Sequence, residues 1–162
     1  MIMDITKNIF ISHRGEDDDS VQRLKERLKE TGYDVRNSSV DSTKHQDQRR
    51  PPDETIKSNL RDGINWASTL ICLIGPDTHN SEWVNYEIEQ AHQMGKKIVG
   101  IYIHGSNEAV ELPEAFKKYG GPPIGWNSLD KLGDVLVGEN IPAENPDGTV
   151  REPIYEITRV KC

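Results

Sequence analysis

The segment Thr69–Ile74 (TLICLI) is six residues without a single polar break, rich in β-branched side chains and closed by the turn-forming Gly75-Pro76-Asp77. A run this short is a strand, and one with no polar face is buried on both sides. Such a strand needs a layer of helices above it and another below it. Lys97–Ile103 (KIVGIYI) repeats the pattern after a helical interval. Two doubly buried strands separated by a helix specify a parallel sheet with right-handed crossovers.

The rest of the chain fits this frame. Lys7–Ser12 (KNIFIS) reads as the first strand. Ser20–Thr31 reads as a helix, with Val21, Leu24 and Leu28 at helical spacing, Asp17–Asp19 at its positive end and Gly32 as its stop. Tyr33–Val35 is a short second strand, and residues 36–52 form a long polar loop ending in Pro51-Pro52. Asp53 is placed to cap a second helix carrying Ile56, Leu60 and Ile64 on one face. Ser81–Met94 is the third helix, a short fourth runs near Leu112–Tyr119, Pro123–Trp126 is an edge strand, and Leu129–Val137 is a last helix. Residues 138–153 read as loop, and Ile154–Val160 fits either strand or helix. The expected fold is an α/β, flavodoxin-like three-layer sandwich with five strands in the order 2-1-3-4-5. The length, 162 residues, suits one domain. Its core is expected at about 7–137, with an extension over 138–162.

Composition excludes several functions. With a net charge of −7 the chain has no bulk attraction for nucleic acid. The two cysteines, Cys72 inside an apolar strand and Cys162 at the end, make neither a disulfide framework nor a metal spacing. His45, His79, His92 and His104 show no ligand spacing and are expected on the surface. No segment is long and apolar enough for a signal peptide or a membrane span, so a cytoplasmic location is expected. A Gly-x-Gly-x-x-Gly fingerprint and a phosphate-binding P-loop are both absent from the sequence.

Ligands of open parallel sheets bind beyond the carboxyl ends of the strands. Here that rim carries Ser12, His13 and Arg14, then Asn37, Ser38 and Ser39, then 75–80, then His104 and Gly105. The third helix starts at the same rim. At ~100° per residue, Val84, Ile88 and Ala91 form its core face, while Glu82 and Glu89 face solvent. Glu87 falls at the margin of the apolar stripe, with Trp83 one turn before it. On geometry alone, an ordinary boundary ion pair is the commoner reading of such a glutamate.

The stretch NIFISHRGEDD resembles the opening of TIR domains, and Ser81-Glu82-Trp83-Val84-Asn85-Tyr86-Glu87 resembles their Ser-x-Trp-x-x-x-Glu pattern. Tyr33–Ser39 is similar to a bacterial TIR-like branch that includes a component of the Thoeris anti-phage system. The resemblance implies a TIR-type enzyme that cleaves the nicotinamide–ribose bond of NAD, with Glu87 as the catalytic residue. It implies ADP-ribose or a cyclic isomer as product, a downstream effector that reads the nucleotide signal, and self-association through TIR–TIR contacts. NAD is then the substrate; no cofactor and no metal are expected. Ser12, His13, Arg14, Asn37, Ser38 and Trp83 are the expected substrate-binding residues. The loop carrying Lys44, Arg49 and Arg50 is longer than in many TIR domains. Two other readings stay open: a TIR-like binding module without chemistry, and a nucleoside deoxyribosyltransferase, which shares the architecture and also uses a glutamate.

Overall fold

The computed structural model describes residues 8–14, 18–37, 53–103, 110–133, 143–146 and 149. The elements run β1 (Asn8–Ser12), α1 (Asp18–Glu30), β2 (Asp34–Asn37), α2 (Asp53–Trp66), β3 (Thr69–Ile74), α3 (Glu82–Gln93), β4 (Lys97–Tyr102), α4 (Glu114–Tyr119) and β5 (Pro123–Ile124). A 3-10 turn at Thr78–Asn80 precedes α3, and a 3-10 segment at Trp126–Lys131 follows β5. The five strands form one sheet in the order β2-β1-β3-β4-β5, every pairing parallel. The expected fold and strand order hold.

Each face of the sheet has its own core. Phe10, Leu70, Cys72, Ile74, Ile98 and Tyr102 point to one side, where α2, α3 and α4 cover them with Ile64, Val84, Ile88 and Phe116. Ile9, Ile11, Ile71, Leu73, Val99 and Ile101 point to the other, against Val21, Leu24 and Leu28 of α1 and Leu129 and Leu132 beyond β5. The period-2 alternation of each strand thus feeds two apolar layers, and all six residues of β3 are buried.

Local chemistry sets the helix ends. After α1, Gly32 takes φ 92°. Its N–H donates to Lys29 O, and the Tyr33 N–H donates to Leu28 O. Gly95, at φ 72°, closes α3 the same way, with Gly95 N–H to His92 O and Lys96 N–H to Ala91 O. These paired bonds satisfy carbonyls that a helix end leaves open, and the left-handed backbone suits glycine.

Several boundaries differ from expectation. The second strand begins at Asp34, because the Tyr33 amide is used in closing α1. It runs on through Arg36 and Asn37, which Phe10 and Ile11 of β1 pair with. The second helix takes Asp53 as its first residue. A tight 3-10 segment, Trp126–Lys131, kinked at Ser128, takes up the start of the expected last helix; Leu132 and Gly133 follow in α-helical conformation, and residues 134–137 lie outside the described residues, as do 154–160. The extension also does more than loop. Glu144, 3% exposed, donates its amide to Pro123 O and accepts the Gly125 amide on Oε1. That second bond ends β5 after two residues, shorter than the expected Pro123–Trp126.

Gly100 lets α4 approach the sheet. A Cβ there would stand 2.5 Å from Cζ of Phe116 and 3.0 Å from Cδ1 of Ile74. Gly100→Ala is expected to lower unfolding stability by ~1–3 kcal/mol through overpacking. Adding Phe116→Leu should recover part of the loss. Urea unfolding of the three proteins checks this; an unchanged midpoint for Gly100→Ala would contradict the close approach.

Candidate functional site

The rim past the carboxyl ends of β1 and β3 is where the order of strands reverses direction. At β1, Ser12 pairs with Cys72 of β3 and shares the strand face of Phe10, which α3 covers. Ser12 is fully buried, and its Oγ makes no hydrogen bond among the described residues. His13 is also buried, with Nδ1 3.0 Å from the Arg14 carbonyl oxygen. Since a carbonyl only accepts, Nδ1 carries the proton.

Arg14 crosses the rim. Its guanidinium donates to the Asp77 carbonyl oxygen at 3.1 Å and lies 3.9 Å from the Asp77 carboxylate. The loop after β1 is thereby tied to the turn after β3. Within that turn, buried Thr78 accepts the Gly75 amide at 2.8 Å. His79, expected on the surface, is half-buried, and its Nδ1 is shielded from solvent. His92 stacks on Tyr119 with ring centroids 3.9 Å apart.

This turn delivers α3. Ser81 caps it, accepting the Val84 amide at 3.2 Å. Val84, Ile88 and Ala91 face the core as expected, and Glu82 and Glu89 are exposed. Glu87 departs from expectation. It lies not at the margin of the stripe but inside it, at 0% exposure. Trp83, one turn earlier, is partly buried against the same core and meets Tyr86 edge-on, centroids 5.9 Å apart. Arg61 of α2 donates to the Tyr86 hydroxyl at 3.2 Å, fixing that ring from the neighbouring helix. A carboxylate this far from water is costly to place in an apolar layer unless other groups offset its charge.

The residues expected at the site are thus partly assembled. Ser12 and Glu87 are both buried within the layer on the α3 side of the sheet. Arg14 reaches the turn that starts α3, and Trp83 borders it. Asn37 ends β2, opposite Ile11. Ser38 lies outside the described residues, together with Lys44, Arg49, Arg50, His45 and His104. Among the described residues no group of three or more histidines, cysteines or acids is placed to hold a metal. Nor is any described helix long and apolar enough to cross a membrane.

One residue escaped the sequence reading. Asn85 donates Nδ2 to the Ser81 carbonyl at 3.0 Å and accepts the Ala115 amide on Oδ1 at 2.9 Å. Ala115 is in the first turn of α4, whose cap position is Pro113, with no side chain to satisfy it. Asn85 does that work from another helix and locks α3 against α4. Asn85→Ala is expected to cost ~1–3 kcal/mol by leaving the Ala115 donor unmet. Asn85→Asp keeps an acceptor and should cost less. Thermal unfolding of both variants separates the two, and equal losses would rule out the capping role.

Comparisons with known proteins bear on this site. The family model for the TIR-like domain of the Thoeris protein ThsB matches residues 10–108, more than half of the chain. ThsB1 of Bacillus cereus (strain MSX-D12), provisionally named a cyclic ADP-D-ribose synthase, is 36% identical over 95 residues. That alignment covers 57% of this chain and 44% of ThsB1, so the chain spans less than half the length of that relative. Among solved structures, the 2-deoxyribosyltransferase of Bacillus psychrosaccharolyticus superposes with a TM-score of 0.57 at 15% identity, covering 76% of this chain and 90% of that one. The TIR domain of the Toll-related receptor TRR-2 from Hydra magnipapillata gives 0.51 at 16% identity, covering 77% and 88%. At such identities the two structures share the fold alone.

Proposed function

From its place in the TIR-like domain family of the Thoeris protein ThsB, to which this chain belongs, we propose that it cleaves the nicotinamide–ribose bond of NAD, with Glu87 as the catalytic carboxylate. The observation that carries this reading is the burial of Glu87. It is the one fully buried acid among the described residues, and it stands on the helix that starts at the ligand rim of the sheet.

The chemistry fits a lone carboxylate. Most glycosidases need a second acid because an oxygen leaving group must be protonated. Nicotinamide needs none: it leaves a cationic pyridinium as a neutral molecule. What develops instead is positive charge on the ribose, an oxocarbenium-like centre. A fixed anion shielded from water opposes that charge more strongly than one in bulk solvent. Glu87 therefore stabilises the transition state and binds the ribose hydroxyls before it. The Ser12 hydroxyl offers a further hydrogen bond on the same side of the sheet. Arg14 and the amides after β1 supply donors for the phosphates. Trp83 supplies a ring face at the entrance. Asn37, the last residue of β2, and Ser38 after it in sequence are carried as further substrate contacts, and His13 holds the backbone of Arg14.

Water as acceptor yields ADP-ribose; an atom of the substrate's own adenine yields a cyclic isomer. Either product is a nucleotide that an effector protein can read, which makes the chain the signal-producing half of an antiviral response. A substrate drawn from the nucleotide pool of the cell puts the working protein in the cytoplasm.

Glu87→Gln should keep the fold and reduce NAD consumption by about a hundredfold or more, since it removes the charge and keeps the shape. Incubation with NAD, resolved by mass spectrometry with and without phage-infected cell extract, measures this. A deoxynucleoside and a free base in parallel test base exchange. Equal NAD consumption by wild type and variant, or base exchange in place of NAD cleavage, would overturn the assignment.

A further inference from the structure

Three hydrogen-bond donors converge where α2 lies against α3. α2 turns Ile56, Leu60 and Ile64 into the core. Lys57 and Arg61 each follow one of these residues, so at ~100° per residue they share a stripe beside the core face, one turn apart. Both are half-buried, and both meet Tyr86 of α3. The Lys57 ammonium lies over the Tyr86 ring, 5.6 Å from its centroid. The Arg61 guanidinium donates to the Tyr86 hydroxyl at 3.2 Å. Lys57 and Tyr86 are each the fifth residue of their helices. Both helices follow strands of one parallel sheet and start at its carboxyl rim, so the cluster stands about a turn below that rim.

Every group in the cluster donates. Lysine and arginine carry no acceptor, and Arg61 keeps N–H groups beyond the one it spends on Tyr86. The Tyr86 oxygen accepts from Arg61 and still has its own proton to give. Two cations one turn apart on a helix repel each other. Neither makes an ion pair among the described residues. Acids outnumber Lys and Arg in the chain by 27 to 20, yet an aromatic ring, not an acid, stands between these two. A ring at the protein surface offsets a cation only weakly. An anion with several oxygens offsets both. Phosphate matches the set: the guanidinium fork takes two oxygens at once, the ammonium acts as a point charge, and the phenol O–H reaches a further oxygen.

We propose that Lys57, Arg61 and the Tyr86 hydroxyl form a phosphate-binding site on the α2–α3 seam, separate from the donors that Arg14 brings to the rim. The phosphate is free or carried by a nucleotide, and the chemistry that holds it is the same. The inference rests on the donor cluster, not on the chemistry proposed for Glu87. Because Tyr86 precedes Glu87 on α3, an anion bound here also ties α2 to the helix that carries that carboxylate.

Calorimetric titration of the full chain with pyrophosphate, and separately with AMP, reads the site without any turnover of NAD. Pyrophosphate should bind, more weakly as salt rises. Lys57→Gln and Arg61→Gln should each lower the affinity by about tenfold or more, and Tyr86→Phe, which keeps the ring and removes one donor, by less. Arg14→Gln should leave it unchanged. AMP binding lost in the same variants makes a nucleotide the carrier; pyrophosphate binding alone makes the ligand the free anion. A wild type that binds neither, binding unmoved by both Lys57→Gln and Arg61→Gln, or loss on Arg14→Gln alone would each overturn the proposal. Lys57→Gln leaves the Arg61–Tyr86 bond in place, so a folding defect in the Arg61 variant does not decide the outcome.

Discussion

A strand with no exposed residue controls this architecture. β3 is buried along its whole length and pairs in parallel on both sides, with β1 and with β4. Parallel neighbours cannot be joined by tight hairpins, so each connection must climb over a face of the sheet. Burial on both faces requires that these crossovers be amphipathic helices, and their constant hand sends each of them back to the same end. One consequence is functional. Every helix that follows a strand must start at the carboxyl rim, so α3 begins there, with its cap, its indole and its glutamate following in order.

Where residues were decided by local rules, the sequence could be read closely. TLICLI was bounded to the residue, because an apolar run between turn formers leaves little freedom. Gly32 ended α1 because only a left-handed residue closes the helix at that point. Val84, Ile88 and Ala91 were placed correctly by a period of 3.6. Where residues were decided by remote partners, reading failed. Arg36 and Asn37 look like loop, yet β1 holds them in register. Asn85 is unremarkable in its own helix, and its role exists only because Pro113 leaves α4 uncapped thirty residues later. Glu144 sits in a polar stretch with no periodicity, and nothing in it announces a buried bond to β5.

Glu87 lies between these cases. Helical spacing put it beside the apolar stripe, and the Ser-x-Trp-x-x-x-Glu resemblance singled it out; neither indicated complete burial. The difference matters for the chemistry. At a boundary, solvent would screen the carboxylate and spread its effect over any passing cation. Inside the layer, a charge would act at higher strength on a cation brought beside it. A carboxylate in an apolar layer costs more than Leu or Ala would at the same position, which is why the burial of Glu87 supports the catalytic reading proposed above.

The surrounding bonds answer a second requirement of such a charge. A single carboxylate acts on a forming cation only if it stays where the cation forms, since a shift of an ångström costs much of the effect. α3 is accordingly fixed at several points along its length: Ser81 at its start, Arg14 through the preceding turn, Asn85 to α4, Arg61 through Tyr86 to α2, and Gly95 at its end. Besides closing the two ends of α3, these bonds tie it to the loop after β1, to α2 and to α4, and none of the bonds named is made by Glu87. They immobilise the helix, and the helix immobilises the charge.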